Sequence, residues 1–339
     1  MPEHPTTQHG VTGIGALRLA SGESIESTQL SWKTFGRLSS AKNNVIVYPT
    51  SFATQHQDIE WLVKSGGILD PREWFVIIVD MLGNGLSSSP SNDVNYPALV
   101  TAADNATAQR RLLQQQWSIE RVACVYGWSM GAQQAYHWAA LFPDMVERVV
   151  VNCGSARTSI HNQIFLDSLI ATLEAAPEYT GGGRFAKHPA SALRAFGRAY
   201  AAWALSQDFF RHELHVSALG ATDREDFLRT HWDNRFTARN PSNLLAHLRG
   251  WHASDISADP RFSGDLAAAL QSIRAKVLLM PGSTDLYFRV ADNEEEMQHL
   301  TSAELHPIPS LWGHLAGNPH RNPEAERFIA LAVQEWLTR

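Results

Sequence analysis

Val122-Ala123-Cys124-Val125-Tyr126-Gly127-Trp128-Ser129-Met130-Gly131-Ala132-Gln133-Gln134-Ala135-Tyr136-His137-Trp138-Ala139-Ala140 sets a short apolar run before a G-x-S-x-G pentapeptide and an alanine-rich, helix-forming run after it. The stretch reads as strand, sharp turn, helix. At such a turn the glycines at 127 and 131 allow backbone crowding that a Cβ would forbid, and the serine hydroxyl projects above the sheet. Ser129 is therefore the candidate nucleophile.

Further apolar runs flank this segment: Val45–Tyr48, Phe75–Val79, Val149–Val151 and Val277–Met280. Each is continuous and mostly β-branched, as strands covered on both faces of a parallel sheet are. Residues 101–117 carry a helical pattern ahead of the Ser129 strand, and stretches 14–20 and 28–36 read as an antiparallel pair at the sheet edge. From 155 to 271 the strand signal gives way to helical patterns such as Ala192–Leu205 and Asn243–Trp251. The expected organisation is an α/β core over 1–154 and 272–339 with a helical cap inserted over 155–271. Gly181-Gly182-Gly183 reads as a turn, since a phosphate loop requires a preceding strand and a Lys-Ser/Thr pair.

The chain has 339 residues, 44% of them hydrophobic and 18% charged, with a formal net charge of −6. That excludes the basic footprint of a nucleic-acid binder. No charged segment followed by an apolar leader opens the sequence and no window holds about 18 uninterrupted apolar residues, so a cytoplasmic protein away from membranes is expected. Cys124 and Cys153 both fall on expected buried strands and read as core thiols rather than a disulfide. No H-E-x-x-H or C-x-x-C occurs, and no metal or other cofactor is expected.

The Ser129 turn resembles the nucleophile elbow of α/β-hydrolases, in which the acid and then the histidine follow the serine on loops after later strands. A serine hydroxyl needs an adjacent base. After Val277–Met280 comes Pro281-Gly282-Ser283-Thr284-Asp285, which puts Asp285 on the loop where the acid belongs. After the strand-like run 304–309 comes Trp312-Gly313-His314, which puts His314 on the next loop. The two lie 29 residues apart, room for the helix expected over 292–300 and one strand. Among the other histidines, His137 falls on the helix after the turn, His306 inside a strand, and His320 is the rival base. Asp255, Asp259 and Asp265 precede the strand at 277 and read as helix caps. In the resulting mechanism His314 takes the Ser129 proton while Asp285 fixes its tautomer. The oxyanion would be held by Met130 and by a donor from Pro49-Thr50-Ser51-Phe52.

Over nearly its whole length the chain resembles the homoserine O-acetyltransferase branch of the α/β-hydrolases, which includes esterases of small acetate esters. The segments that carry the resemblance are Ser129-Met130-Gly131 with Gln133, Asp104-Asn105 with Ala108-Gln109, Ser155–Ser159 with Asn162, Gly182-Gly183-Arg184-Phe185, Asn243-Leu244-Leu245 and Gly313-His314. The resemblance implies an eight-stranded, mostly parallel α/β-hydrolase sheet with a helical cap, and dimerisation through that cap. It also implies a triad of Ser129, Asp285 and His314, with the upstream oxyanion donor at Ser51. Where the acetyltransferases resemble one another in Gly-His-Asp, this chain has Gly313-His314-Leu315, which removes the carboxylate that would hold an amino-acid acceptor's ammonium. The loop Tyr48–Ala53 also departs from the family's His-Ala-Leu-Thr-Gly. Arg198 either grips an acceptor carboxylate or is a solvated helix residue. Phe52, Trp128, Arg198 and Leu315 are the candidate substrate contacts, and Trp203 or Trp251 would narrow the pocket. The expected activity is hydrolysis of small acyl esters, with acetyl transfer from acetyl-CoA to homoserine or another alcohol as the alternative and a non-catalytic binding protein as the third reading.

Overall fold

A computed structural model describes residues 6–339. Eight strands form one sheet in the order β1-β2-β4-β3-β5-β6-β9-β10. They span β1 Thr7–Arg18, β2 Ser24–Phe35, β3 Val45–Pro49, β4 Phe75–Val79, β5 Cys124–Trp128, β6 Arg148–Asn152, β9 Lys276–Met280 and β10 Ala303–Leu305. The pairs β1/β2 and β2/β4 run antiparallel, and the other pairs run parallel. All residues of β3, β4 and β5 are buried, which is why these strands read as unbroken apolar runs.

The edge hairpin begins earlier than the 14–20 and 28–36 stretches suggest. Gly10, Gly13 and Gly15 dilute the strand signal of β1, and the pairing is bulged around Gly13–Leu17. At Gly10 the ring of Trp32 takes the place of a side chain: a Cβ there would lie 2.8 Å from its Cζ2. The strand expected over 304–309 stops at Leu305, because Pro307 and Pro309 have no N–H to donate. A single bridge between Gly282 and Ile308 continues it, and His306 lies just beyond the strand.

The helices of eight residues or more are α1 Ala102–Trp117, α2 Met130–Leu141, α3 Ile160–Glu174, α4 Ala190–Ala204, α5 Pro241–His252, α6 Val290–Met297 and α7 Pro323–Thr338. Thr101 and Asp104 form a capping box at the start of α1, and the Asp104 carboxylate also accepts from the Ala20 amide (2.7 Å). Between β6 and β9 the chain forms α3, α4, α5, several short helical turns and a small hairpin, β7 Tyr179–Gly181 with β8 Arg184–Phe185. Gly181, Gly182 and Gly183 all have positive φ (90°, 58° and 77°), so this turn requires glycine. Arg184 donates to the carbonyls of Pro90 (2.6 Å) and Val94 (2.7 Å), and Asn243 bonds Ser91, so the family-like residues here hold the cap segment on the core.

His137 is not a surface residue of α2. It is 5% exposed, and burial lowers its pKa to about 4. Cys153 lies one residue past β6, at φ 46°, rather than within the strand. Burial pushes Cys124 up to about 12 and raises Cys153 well above the ordinary thiol value.

Glu296 of α6 joins three elements: it accepts from Tyr136 Oη of α2 (2.7 Å), from the Ala156 amide after β6 (2.7 Å) and from Asn293 (2.9 Å). Burial raises its pKa to about 7, against an ordinary carboxylate near 4.5. The folded protein therefore retains a proton that the unfolded chain gives up, and this stabilisation is lost as pH rises from 4.5 through 7. Melting temperature measured across that interval is expected to fall less with rising pH in Glu296→Gln than in wild type; parallel curves would show that Glu296 does not contribute.

Candidate active site

Ser129 sits between β5 and α2 at φ 59°, ψ −127°, a backbone conformation that costs a non-glycine residue roughly 1–3 kcal/mol. Close packing holds it there. A Cβ on Gly127 would lie 2.2 Å from the Gly131 carbonyl oxygen, one on Gly131 2.7 Å from Pro49 O, and one on Gly154 2.4 Å from the Ala132 methyl. The Ser129 amide donates to Asn152 O (3.0 Å), and the Ala132 and Gln133 amides donate back to Ser129 O (2.8 and 3.1 Å).

The structure brings Ser129, Asp285 and His314 together from the ends of β5, β9 and β10. His314 Nδ1–H donates to Asp285 Oδ2 (2.7 Å), since a carboxylate can only accept. That tautomer leaves Nε2 to accept from the Ser129 hydroxyl (2.8 Å). The other Asp285 oxygen accepts from the amides of Tyr287 (2.7 Å) and Phe288 (3.3 Å), which fix the carboxylate's plane. His320, the rival base, packs its ring edge-on against Trp61 on the outside of the molecule. Ser129 and His314 are each only 2% exposed, and Asp285 5%.

The imidazole is boxed in by aromatic rings. Trp128 stacks on it (centroids 5.3 Å, 24°), Tyr287 meets it edge-on (4.9 Å) and Phe288 lies at 5.6 Å. Trp128 thus supports His314 and does not offer a separate wall to a substrate. Behind Asp285, the Cys153 sulfur, the carboxylate and the His314 nitrogen lie within 4.8 Å of one another. Burial keeps this thiol protonated, so it faces the carboxylate as S–H and not as a thiolate. A Cβ on Gly317 would lie 2.7 Å from Cys153 Sγ and 2.6 Å from both Trp128 Cδ1 and Asn152 Oδ1, which explains the glycine.

Met130 opens α2, where the first amides of a helix have no intrahelical acceptor and remain available to an oxyanion. On the opposing loop the Ser51 amide donates to Thr54 Oγ1 (2.8 Å), so it is not the free backbone donor expected of that loop. The Ser51 hydroxyl is buried without a partner among the described residues. A relay fixes this loop against the elbow: Trp138 Nε1 donates to Gln109, Gln109 to Gln134 (2.6 Å), and Gln134 to Thr50 O (3.0 Å). Gln134 could not be read in this role from the sequence, because its partners lie 25 and 84 residues away.

The remaining expectations divide. Phe52 stacks with Tyr200 (5.6 Å, 13°) and Phe196 in the aromatic layer between cap and core. Trp251 is fully buried in that layer, while Trp203 is partly exposed and stacks on Phe165. Leu315 is half-buried and lines a crevice of about 250 Å3 beside His314. Arg198 is not free to grip a carboxylate: its guanidinium is taken by Asp233 (2.8 Å) and Glu225 (3.2 Å). Its helix neighbour Gly197 abuts the Trp232 carbonyl, where a Cβ would lie 2.9 Å away.

The family model for the alpha/beta hydrolase fold matches residues 66–317. An ethyl acetate hydrolase from Pseudomonas veronii is 35% identical over 309 residues, covering 89% of this chain and 88% of its own. The crystal structure of an acetylester hydrolase from Corynebacterium glutamicum superposes with a TM-score of 0.90 at 34% identity, covering 96% of each chain. A homoserine O-acetyltransferase from Leifsonia xyli is 27% identical, over 89% of this chain and 84% of its own.

Removing an oxyanion donor typically lowers kcat about a hundredfold or more. Ser51→Ala is expected to lose about that much in ester turnover with an unchanged melting temperature; an unchanged kcat would show that the hydroxyl does not face the reacting carbonyl.

Proposed function

We propose, for a chain that belongs to the α/β-hydrolase family, that it is a serine carboxylesterase acting on small acyl esters, acetates foremost. The observation that carries the reading is the pair of short hydrogen bonds linking Asp285, His314 and Ser129. In the reaction the Ser129 oxygen attacks the ester carbonyl as His314 takes its proton, and the imidazolium formed is stabilised by Asp285. The Met130 amide and the Ser51 hydroxyl stabilise the oxyanion. His314 then protonates the departing alcohol, and a water activated by the same imidazole releases the acid.

Leu315 favours water over an amino-acid acceptor at the second step. It places an apolar side chain beside the base where the acetyltransferases have a carboxylate, and the ion-paired Arg198 offers no substitute contact. The reading needs no cofactor. It takes the protein as a homodimer formed through the cap, whose α3 presents Ile160 and Ile164 to solvent at 75% and 62% exposure.

Turnover of p-nitrophenyl acetate by wild type and Ser129→Ala tests the nucleophile. A loss of about a thousandfold or more is expected from the variant, and equal rates would sink the mechanism. Release of coenzyme A from acetyl-CoA that depends on added homoserine would instead establish the transferase. In Leu315→Asp such acceptor-dependent release should rise above the wild-type level. No change would remove Leu315 from the argument.

A further inference from the structure

The crevice beside His314 lies between the cap and the core loops. Thr54 and Leu315 line it from the core, with Leu205, Phe227 and Trp232 from the cap. Thr54 accepts from the Ser51 amide and Leu315 follows the base, so the crevice ends one hydrogen bond or one residue short of the reacting centre. Its lining is mixed, apolar side chains meeting polar ones, and its ionised groups are Asp58, Arg235 and Arg321.

Arg235 and Arg321 both line the crevice, and neither makes an ion pair or hydrogen bond among the described residues. The carboxylates that could neutralise them are engaged elsewhere. Asp233, two positions before Arg235, is taken by Arg198 (2.8 Å). Asp58 on the rim is held by Arg239 (3.1 Å) and by the Gln55 amide (2.8 Å). Burial, and after it the Arg321 charge, lowers the pKa of His231, which stays neutral. Two exposed guanidinium groups without a direct partner therefore border the crevice, and Asp58, the one carboxylate in its lining, is already paired with Arg239.

We infer that this crevice is an anion-binding subsite for the alcohol portion of the ester, and that the substrates include small acyl esters whose alcohol carries a carboxylate or phosphate. The inference rests on the esterase reading and names its substrate class. A guanidinium presents forked donors that match both oxyanions. Leu205, Phe227 and Trp232 would hold the apolar body between the ester and the anion. At about 250 Å3 the space is smaller than pockets for drug-sized ligands, which suits a compact alcohol.

The test compares para-acetoxybenzoate and para-acetoxyphenyl phosphate with neutral methyl para-acetoxybenzoate, each as kcat/KM. The ratio of anionic to neutral ester should fall about tenfold in Arg235→Gln and in Arg321→Gln, and further in the double variant. Added salt should lower the ratio in wild type more than in the double variant. Arg121→Gln, which removes the same charge from an exposed site outside the crevice, serves as control and should leave the ratio unchanged. The anionic ester with the larger wild-type ratio identifies the preferred oxyanion. Equal ratios in wild type and double variant would overturn the subsite.

If no ester is hydrolysed, the esterase reading fails, and titration calorimetry with para-hydroxybenzoate decides the subsite by itself. Binding to wild type that is lost in the double variant supports it. Equal binding, or none to wild type, overturns it.

Discussion

The structure is organised around one unfavourable backbone conformation, the left-handed turn at Ser129. A residue with a Cβ stays in that conformation only if its surroundings leave no alternative. Here the surroundings are backbone: Gly131 lies against Pro49, Gly127 against Gly131, and Gly154 against the first turn of α2. The first and last of these contacts tie the elbow to the end of β3 and to the loop after β6. The nucleophile, the Met130 amide and the oxyanion loop are therefore positioned as one body, and the strain is offset by the bond the Ser129 amide donates to Asn152 O and by those that Ser129 O accepts from the Ala132 and Gln133 amides.

Two kinds of packing extend that rigidity outward. On the core side it is polar, through the Trp138–Gln109–Gln134–Thr50 relay and through Asn152, which donates to Tyr126 Oη and to the Gly317 carbonyl. On the cap side it is aromatic, a layer of Phe52, Phe196, Tyr200, Trp251 and Tyr287 that reaches His314. Gln133 connects the two sides by donating to Thr158, whose hydroxyl donates to the Trp251 carbonyl. A cap attached in this way shapes the site as well as covering it.

The sheet was legible because its central strands are buried on both faces and so read as continuous apolar runs. Ser129, Asp285 and His314 could be placed on three loops because strand order fixes where such loops emerge. What escaped was information that lies in backbone hydrogen bonds or in distant partners. That the Ser51 amide is already engaged depends on a turn closed by Thr54. The ion pairs of Arg198 depend on carboxylates 27 and 35 residues away, and Cys153 reaches Asp285 only because the ends of β6 and β9 lie side by side. Glycines hid the start of β1, and prolines ended β10 early.

The enclosure of Ser129 and His314 has a kinetic side. A Cβ at Gly313 would come within 2.9 Å of the Ala204 carbonyl, so the base loop and the cap touch at a corner with no slack. Ser129 and His314 are each 2% exposed, so a substrate reaches the serine only if the groups packed around it move. One movement of the cap against the core would serve arrival, hydrolysis and departure alike. The size of such an opening, as much as the shape of the closed site, would then select which esters are turned over.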